Sequence, residues 1–139
     1  MDKKRWVLAA IVVFVVVSAL EWFFHSVCLG GIYSLTSYLW RPQEEMTKLL
    51  PYGLIATLMV SFIMVYIYHK GYEGKGSRLA EGLRFGLIIG LFTAIPMSVW
   101  SYVVFPMAFV IPAAWFLFGM TEMLVAGAII GLLYKRVTI

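Results

Sequence analysis

Three side chains in this 139-residue chain combine acid–base or ligand chemistry with apolar surroundings: Glu21, His25 and Glu122. Ionisable groups are expensive in hydrocarbon, so where they occur they usually face a protein interior or a water-filled path. His25 follows Glu21 by four residues, which on a helix puts both on one face and within hydrogen-bonding reach. Paired carboxylates and an imidazole suit three kinds of site. They can pass a proton or hold a cation, they can ligate a metal, or the imidazole alone can hold a haem or pigment. The same residues can also serve only as hydrogen-bonding glue between helices.

Counting helical rise assigns these groups a depth. Glu21 lies 15 residues from Trp6, about 22 Å along a helix, and Glu122 lies 12 residues from Tyr134, about 18 Å. Ser98, counted from Arg84, comes to about 21 Å, and Thr57 falls nearby. The expectation is therefore one polar layer, Glu21, His25, Thr57, Ser98 and Glu122, to which every helix contributes. Glu21, His25 and Glu122 are its candidates for a metal ion. A cluster of thioethers, Met97, Met107, Met120 and Met123, has donor chemistry suited to Cu(I), although methionine is also ordinary core filler.

Four apolar stretches must position this layer: residues 6–29, 52–68, 83–105 and 112–134. Each approaches the roughly 20 helical residues that cross a hydrocarbon core of about 30 Å. Apolar residues make up 63% of the chain and charged residues only 13%, against about 45–50% and about 25% in soluble domains. A water-soluble protein of this size could not hide that much apolar surface. The expected fold is all-α: one domain, residues 1–139, with four transmembrane helices. Barrel strands are excluded because residues 12–17 do not alternate in polarity.

Nine of the eleven Lys and Arg residues fall before the first stretch, in or beside the connection between the second and third, or after the fourth; only Arg41 and Lys48 lie elsewhere. The positive-inside rule makes that side cytoplasmic, with both termini on it. The basic start followed by an apolar run also fits a secretory signal, but the run continues through Trp22-Phe23-Phe24 and is read as a retained first helix. The net charge of +4 is spread over these clusters, and no nucleic-acid partner is expected. Residues 42–50 are read as a short interfacial helix in the first outer loop. Pro42 opens it, Glu44 and Glu45 occupy its first turn, and Glu44 can pair with Lys48. The loop 70–77 is glycine-rich, but its spacing matches no phosphate-binding motif. Ser77 is placed to cap the third helix.

Small residues recur every four positions at Gly82, Gly86, Gly90, Ala94 and Ser98, and the fourth stretch offers Gly119, Gly127 and Gly131. Such stripes let helix backbones approach closely, so the last two helices are expected to pack through them. A homodimer or another docking chain is the competing use.

No nucleophile elbow is present, and Cys28 has only His25 nearby as an activating base, so no enzyme activity is expected. The leading functional expectation is a non-catalytic accessory subunit or binding partner of a larger membrane complex. The alternative is a small proton- or cation-coupled transporter that uses the Glu/His layer. Either would sit in the cell membrane as a multi-pass protein, the inner membrane in a Gram-negative source, with lipid and other membrane chains or its own copies as neighbours.

Overall fold

The computed structural model describes residues 3–74 and 76–134. Helix α1 runs over Lys3–Trp22 and continues into a π-helical turn, Phe23–Cys28; a short helix α2, Gly30–Leu35, and a 3₁₀ turn, Ser37–Leu39, follow. The long helices α3 (Gln43–Gly71), α4 (Arg78–Val104) and α5 (Val110–Leu133) follow. Counting the π turn with α1, four helices are long and apolar enough to cross a membrane, consistent with a multi-pass membrane protein.

The end where α1 begins and α5 finishes is termed basal here, and the opposite end apical. Lys3, Lys4, Arg5, Lys70, Arg78 and Arg84 lie toward the basal end, whereas Arg41 and Lys48 are apical. Lys75, Lys135 and Arg136, which also enter the orientation argument, lie outside the described residues.

The helices stand in the order α3, α1, α5, α4, each packed mainly on its neighbours in that row. Ala9, Ala10, Val13 and Val17, three or four apart on α1, meet Met64 and Val65 of α3 and Ala126 and Ile130 of α5 in the basal core. Tyr68 closes the row by packing edge-to-face on Phe85 of α4, at 5.2 Å between ring centroids. In contrast, residues 43–56 of α3 are all exposed.

Two local features depart from the sequence reading. Residues 42–50 do not form a separate interfacial helix; Gln43 onward is the start of α3, which runs unbroken through Pro51. A proline removes one backbone hydrogen bond without obliging the helix to stop. The predicted Lys48–Glu44 pair does form, at 2.6 Å on an exposed surface, where such pairs contribute little. The second departure is the π turn, closed by Leu29 N–H donating to the Phe24 carbonyl at 3.0 Å.

At the basal loop, the Ser77 hydroxyl accepts from Ala80 N–H at 3.1 Å and caps α4. Glu81 Oε1 accepts the N–H groups of Glu73 and Gly74 at 2.7 and 3.2 Å, tying the loop to α4. Gly74 and Gly76 have φ of 71° and 85°, a region that residues with a Cβ enter at a cost.

The α4–α5 seam joins backbone to backbone. Gly82 abuts Gly127 and Gly131, Gly86 abuts Met123, Leu124 and Gly127, and Gly90 sits against the Met120 and Met123 side chains. Gly119 meets the Ala94 methyl at ordinary contact distance. A methyl group added to Gly82, Gly86, Gly127 or Gly131 would collide with a facing carbonyl oxygen.

Candidate functional site

The other face of α5 carries the ionisable and aromatic groups, and it meets α1. The helices run antiparallel: Phe24 stacks on Phe118, with centroids 4.2 Å apart and planes 3° from parallel. One turn nearer the base on each helix lie Glu21 and Glu122, which brings them to the same level. The Glu21 carboxylate is within electrostatic reach of both Glu122 and His25. Glu122 is buried, at 7% exposure, whereas Glu21 lies on the exposed helix surface. Among the described residues, neither carboxyl has a hydrogen-bond or ion-pair partner.

His25 does not bond to Glu21, although four-residue spacing on a regular helix would allow it. The π turn begins between them, at Phe23, and changes the angular step along the chain. His25 Nδ1 instead lies 2.7 Å from the Tyr33 hydroxyl, and the two rings are nearly parallel, 14° apart. Trp115 Nε1–H donates to the same hydroxyl at 2.6 Å. The arrangement that uses every group runs from Trp115 N–H to the Tyr33 oxygen and from Tyr33 O–H to His25 Nδ1, which puts the imidazole proton on Nε2. Trp40 packs on both Tyr33 and Trp115, with centroids 5.2 and 6.0 Å away, and its Nε1–H donates to Thr36 Oγ1 at 3.0 Å. Burial raises the Tyr33 phenol above its ordinary range, opposed by the smaller effect of the Trp115 hydrogen bond.

The single polar layer needs correction at Ser98. Thr57 donates to the Gly53 carbonyl of its own helix at 3.1 Å and does not bond to a carboxyl. Ser98 is buried, but it lies beside Phe116, with which it lines an apolar groove between α4 and α5. Phe116 is six residues, about 9 Å, apical of Glu122 along α5. The depth count failed because Arg84 does not mark the start of its helix: α4 begins at Arg78. Ser98 thus lies off the carboxyl level, and Thr57 makes no bond to either carboxyl.

The metal candidates fare similarly. Among the described residues, no three His, Cys, Asp or Glu side chains converge as a ligand set. Glu21, His25 and Glu122 fall short because the π turn directs the imidazole to Tyr33, and in that arrangement Nε2 carries the ring proton and has no lone pair to offer a haem, pigment or metal. The methionines do not gather either, since Met97 is 64% exposed while Met120 and Met123 fill the seam against Gly90.

The gathering of Tyr33, Trp40 and Trp115 beside His25 is not legible in the sequence. Trp115 is 82 positions from Tyr33, so no local pattern joins them. Glu81 was also missed; its signal was a carboxylate near a glycine-rich loop with free N–H groups. Compared with protein-family models, curated proteins and solved structures, the chain matches none.

Proposed function

We propose that this chain is an integral membrane protein, with its basal end cytoplasmic, that takes up a proton or small cation between Glu21 and Glu122. The observation that carries this reading is the placement of two carboxyls from different apolar helices at one level and within electrostatic reach, with no cationic partner among the described residues. Two ionised carboxylates would repel each other strongly in a low-dielectric setting, and a proton or cation between them removes that repulsion. In a bilayer the flank of Glu21 that this chain leaves uncovered would face hydrocarbon, so the site needs a second copy or another chain to enclose it, and the His25–Tyr33–Trp115 chain lies on the apical approach. In this reading the protein is non-catalytic, and the basic residues at the basal end set its orientation.

Reconstitution into liposomes under a proton or sodium gradient tests this directly. The wild-type protein should dissipate the gradient faster than protein-free vesicles, and Glu122→Gln should abolish the difference. Wild-type flux equal to that of empty vesicles would refute the reading.

A second reading, an accessory subunit of a larger membrane complex, is favoured by the apical half of α3. Residues 43–56 lack any covering element of their own chain. A photo-crosslinking residue at Leu54 should then capture a protein neighbour in the native membrane, while lipid adducts alone would count against it.

A further inference from the structure

The basal end gathers charged groups around a cavity, well apart from the carboxyl pair. Where α3 ends and α4 begins, the helices part around a pocket of about 220 Å³. That is smaller than the roughly 300–1,000 Å³ of sites that enclose a whole small molecule, so it suits one end of a larger one. On α4 its lining is Glu81, Arg84, Phe85 and Ile88, the spacing of one helix face. The charged members lie toward the basal loop and the apolar ones deeper along the helix. Glu73 of that loop joins the charged rim, and Ile67 of α3 adds to the apolar wall. Ile67 and Ile88 are both exposed, so in a bilayer they border hydrocarbon.

The charges at the rim are incompletely matched to one another. Arg84 approaches Glu73 at 3.6 Å, with both side chains about half exposed. That is too far for a hydrogen bond and weak in so wet a setting. Among the described residues the Arg84 guanidinium makes no hydrogen bond, although its forked N–H donors fit a phosphate. Arg78, in contrast, donates to the Leu132 carbonyl at 3.2 Å. Glu81 is buried; its Oε1 takes the two loop N–H groups, and Oε2 has no partner among the described residues. With two acidic side chains against one basic one, a purely anionic headgroup would meet net repulsion. A headgroup that carries both a phosphate and an ammonium matches both signs.

We propose that this pocket binds the headgroup of an ethanolamine phospholipid. The phosphate lies on Arg84, the ammonium donates to Glu73 beside Glu81, and an acyl chain runs along Ile67, Phe85 and Ile88. Charged side chains at the end of an apolar span reach headgroup depth whichever side is cytoplasmic. The site rests on membrane insertion alone, not on the function assigned to Glu21 and Glu122.

Native mass spectrometry of the detergent-solubilised chain, titrated with dioleoyl lipids that differ only in headgroup, tests this. One phosphatidylethanolamine should bind saturably, roughly tenfold tighter than phosphatidylcholine or phosphatidylglycerol, the worth of one charge-assisted hydrogen bond. Choline has no N–H to donate, and phosphatidylglycerol has no cation. Arg84→Gln should weaken the ethanolamine and choline lipids alike, again roughly tenfold. Glu73→Gln should erase the preference for ethanolamine over choline and leave choline-lipid binding at its wild-type strength, which also shows that the variant is folded. Glycerophosphoethanolamine, the same headgroup without chains, should not displace the lipid. Equal affinity for the three lipids, or an ethanolamine preference unchanged in Glu73→Gln, would overturn the proposal. Tighter binding of phosphatidylglycerol would overturn it by making the pocket an anion site, and displacement by glycerophosphoethanolamine by making it a site for a soluble ligand.

Discussion

Helix α5 presents two packed faces built on opposite principles. Toward α4 it offers Gly119, Gly127 and Gly131, and backbone lies against backbone with almost no side chain between. Toward α1 it offers Trp115, Phe118 and Glu122, and the contact is made by rings, a carboxyl and one shared hydroxyl. In lipid, apolar burial gives little net drive for helix association, so close van der Waals contact and interhelical hydrogen bonds must supply it. The first face uses close contact and tolerates no added atoms. The second uses larger groups that can repack, and it is where ionisable chemistry is held. Rigidity on one side of the helix permits adjustable polar groups on the other.

The largest effect should come from breaking the rigid face. Gly127→Val would drive a branched side chain into the Gly82 carbonyl and the Gly86 backbone, and the helices would have to separate. A loss of more than about 3 kcal/mol is expected, at the upper end for overpacking. Denaturant unfolding in mixed micelles, followed by circular dichroism, measures it. Gly90→Ala provides the internal contrast. It meets chiefly the Met120 thioether, which can rotate away, so its cost should stay below about 1 kcal/mol. Equal costs for the two substitutions would show that the seam is not a backbone contact.

The sequence made one of these faces more readable than the other. The four-residue recurrence of small residues in α4 needs only helical periodicity to be seen, as does the apolar length of each span. Aligning Glu21 with Glu122 took only helical rise. Ser98 was misplaced by the same counting, because the origin chosen was Arg84 and the helix starts six residues earlier. The π turn was not legible at all. Residues 23–28 contain no glycine or proline, and the turn takes its meaning from contacts with Tyr33 and, through it, Trp115. Likewise, residues 42–50 read as a helix separate from the second span, but α3 runs through both and past Pro51.

A smaller effect on stability, though a larger one on function, is expected from the adjustable face. If Glu21 and Glu122 act as one unit on a proton or cation, Glu21→Gln and Glu122→Gln should each remove most of the flux. The double substitution should then add little to either single one, the non-additivity that groups acting together display. Each single variant should remain within about 1 kcal/mol of wild-type stability, since neither carboxyl has a hydrogen bond to lose among the described residues. Independent, additive losses of flux would separate the two residues and leave Glu122 to act alone.

The narrowest test of the contrast concerns Tyr33, where a stability loss can be read together with a titration. Tyr33→Phe removes the hydroxyl shared by Trp115 and His25, and a loss of about 1–2 kcal/mol follows from two neutral hydrogen bonds. Indole emission should change with it, because Trp115 loses its acceptor. The phenol also carries a pH signature. Burial raises its folded-state value above the ordinary one, so below a pH of about 10 the group is neutral in both folded and unfolded chains and its stabilising contribution is complete. Above that, the unfolded chain ionises first and binds fewer protons, and stability falls as pH rises through the folded-state value. The difference in phenolate absorbance between wild type and Tyr33→Phe should therefore rise only beyond the ordinary tyrosine range. A transition at or below that range would mean that water reaches the hydroxyl freely. The apical cluster would then be an open surface feature, and the contrast between the faces of α5 would rest on the carboxyls alone.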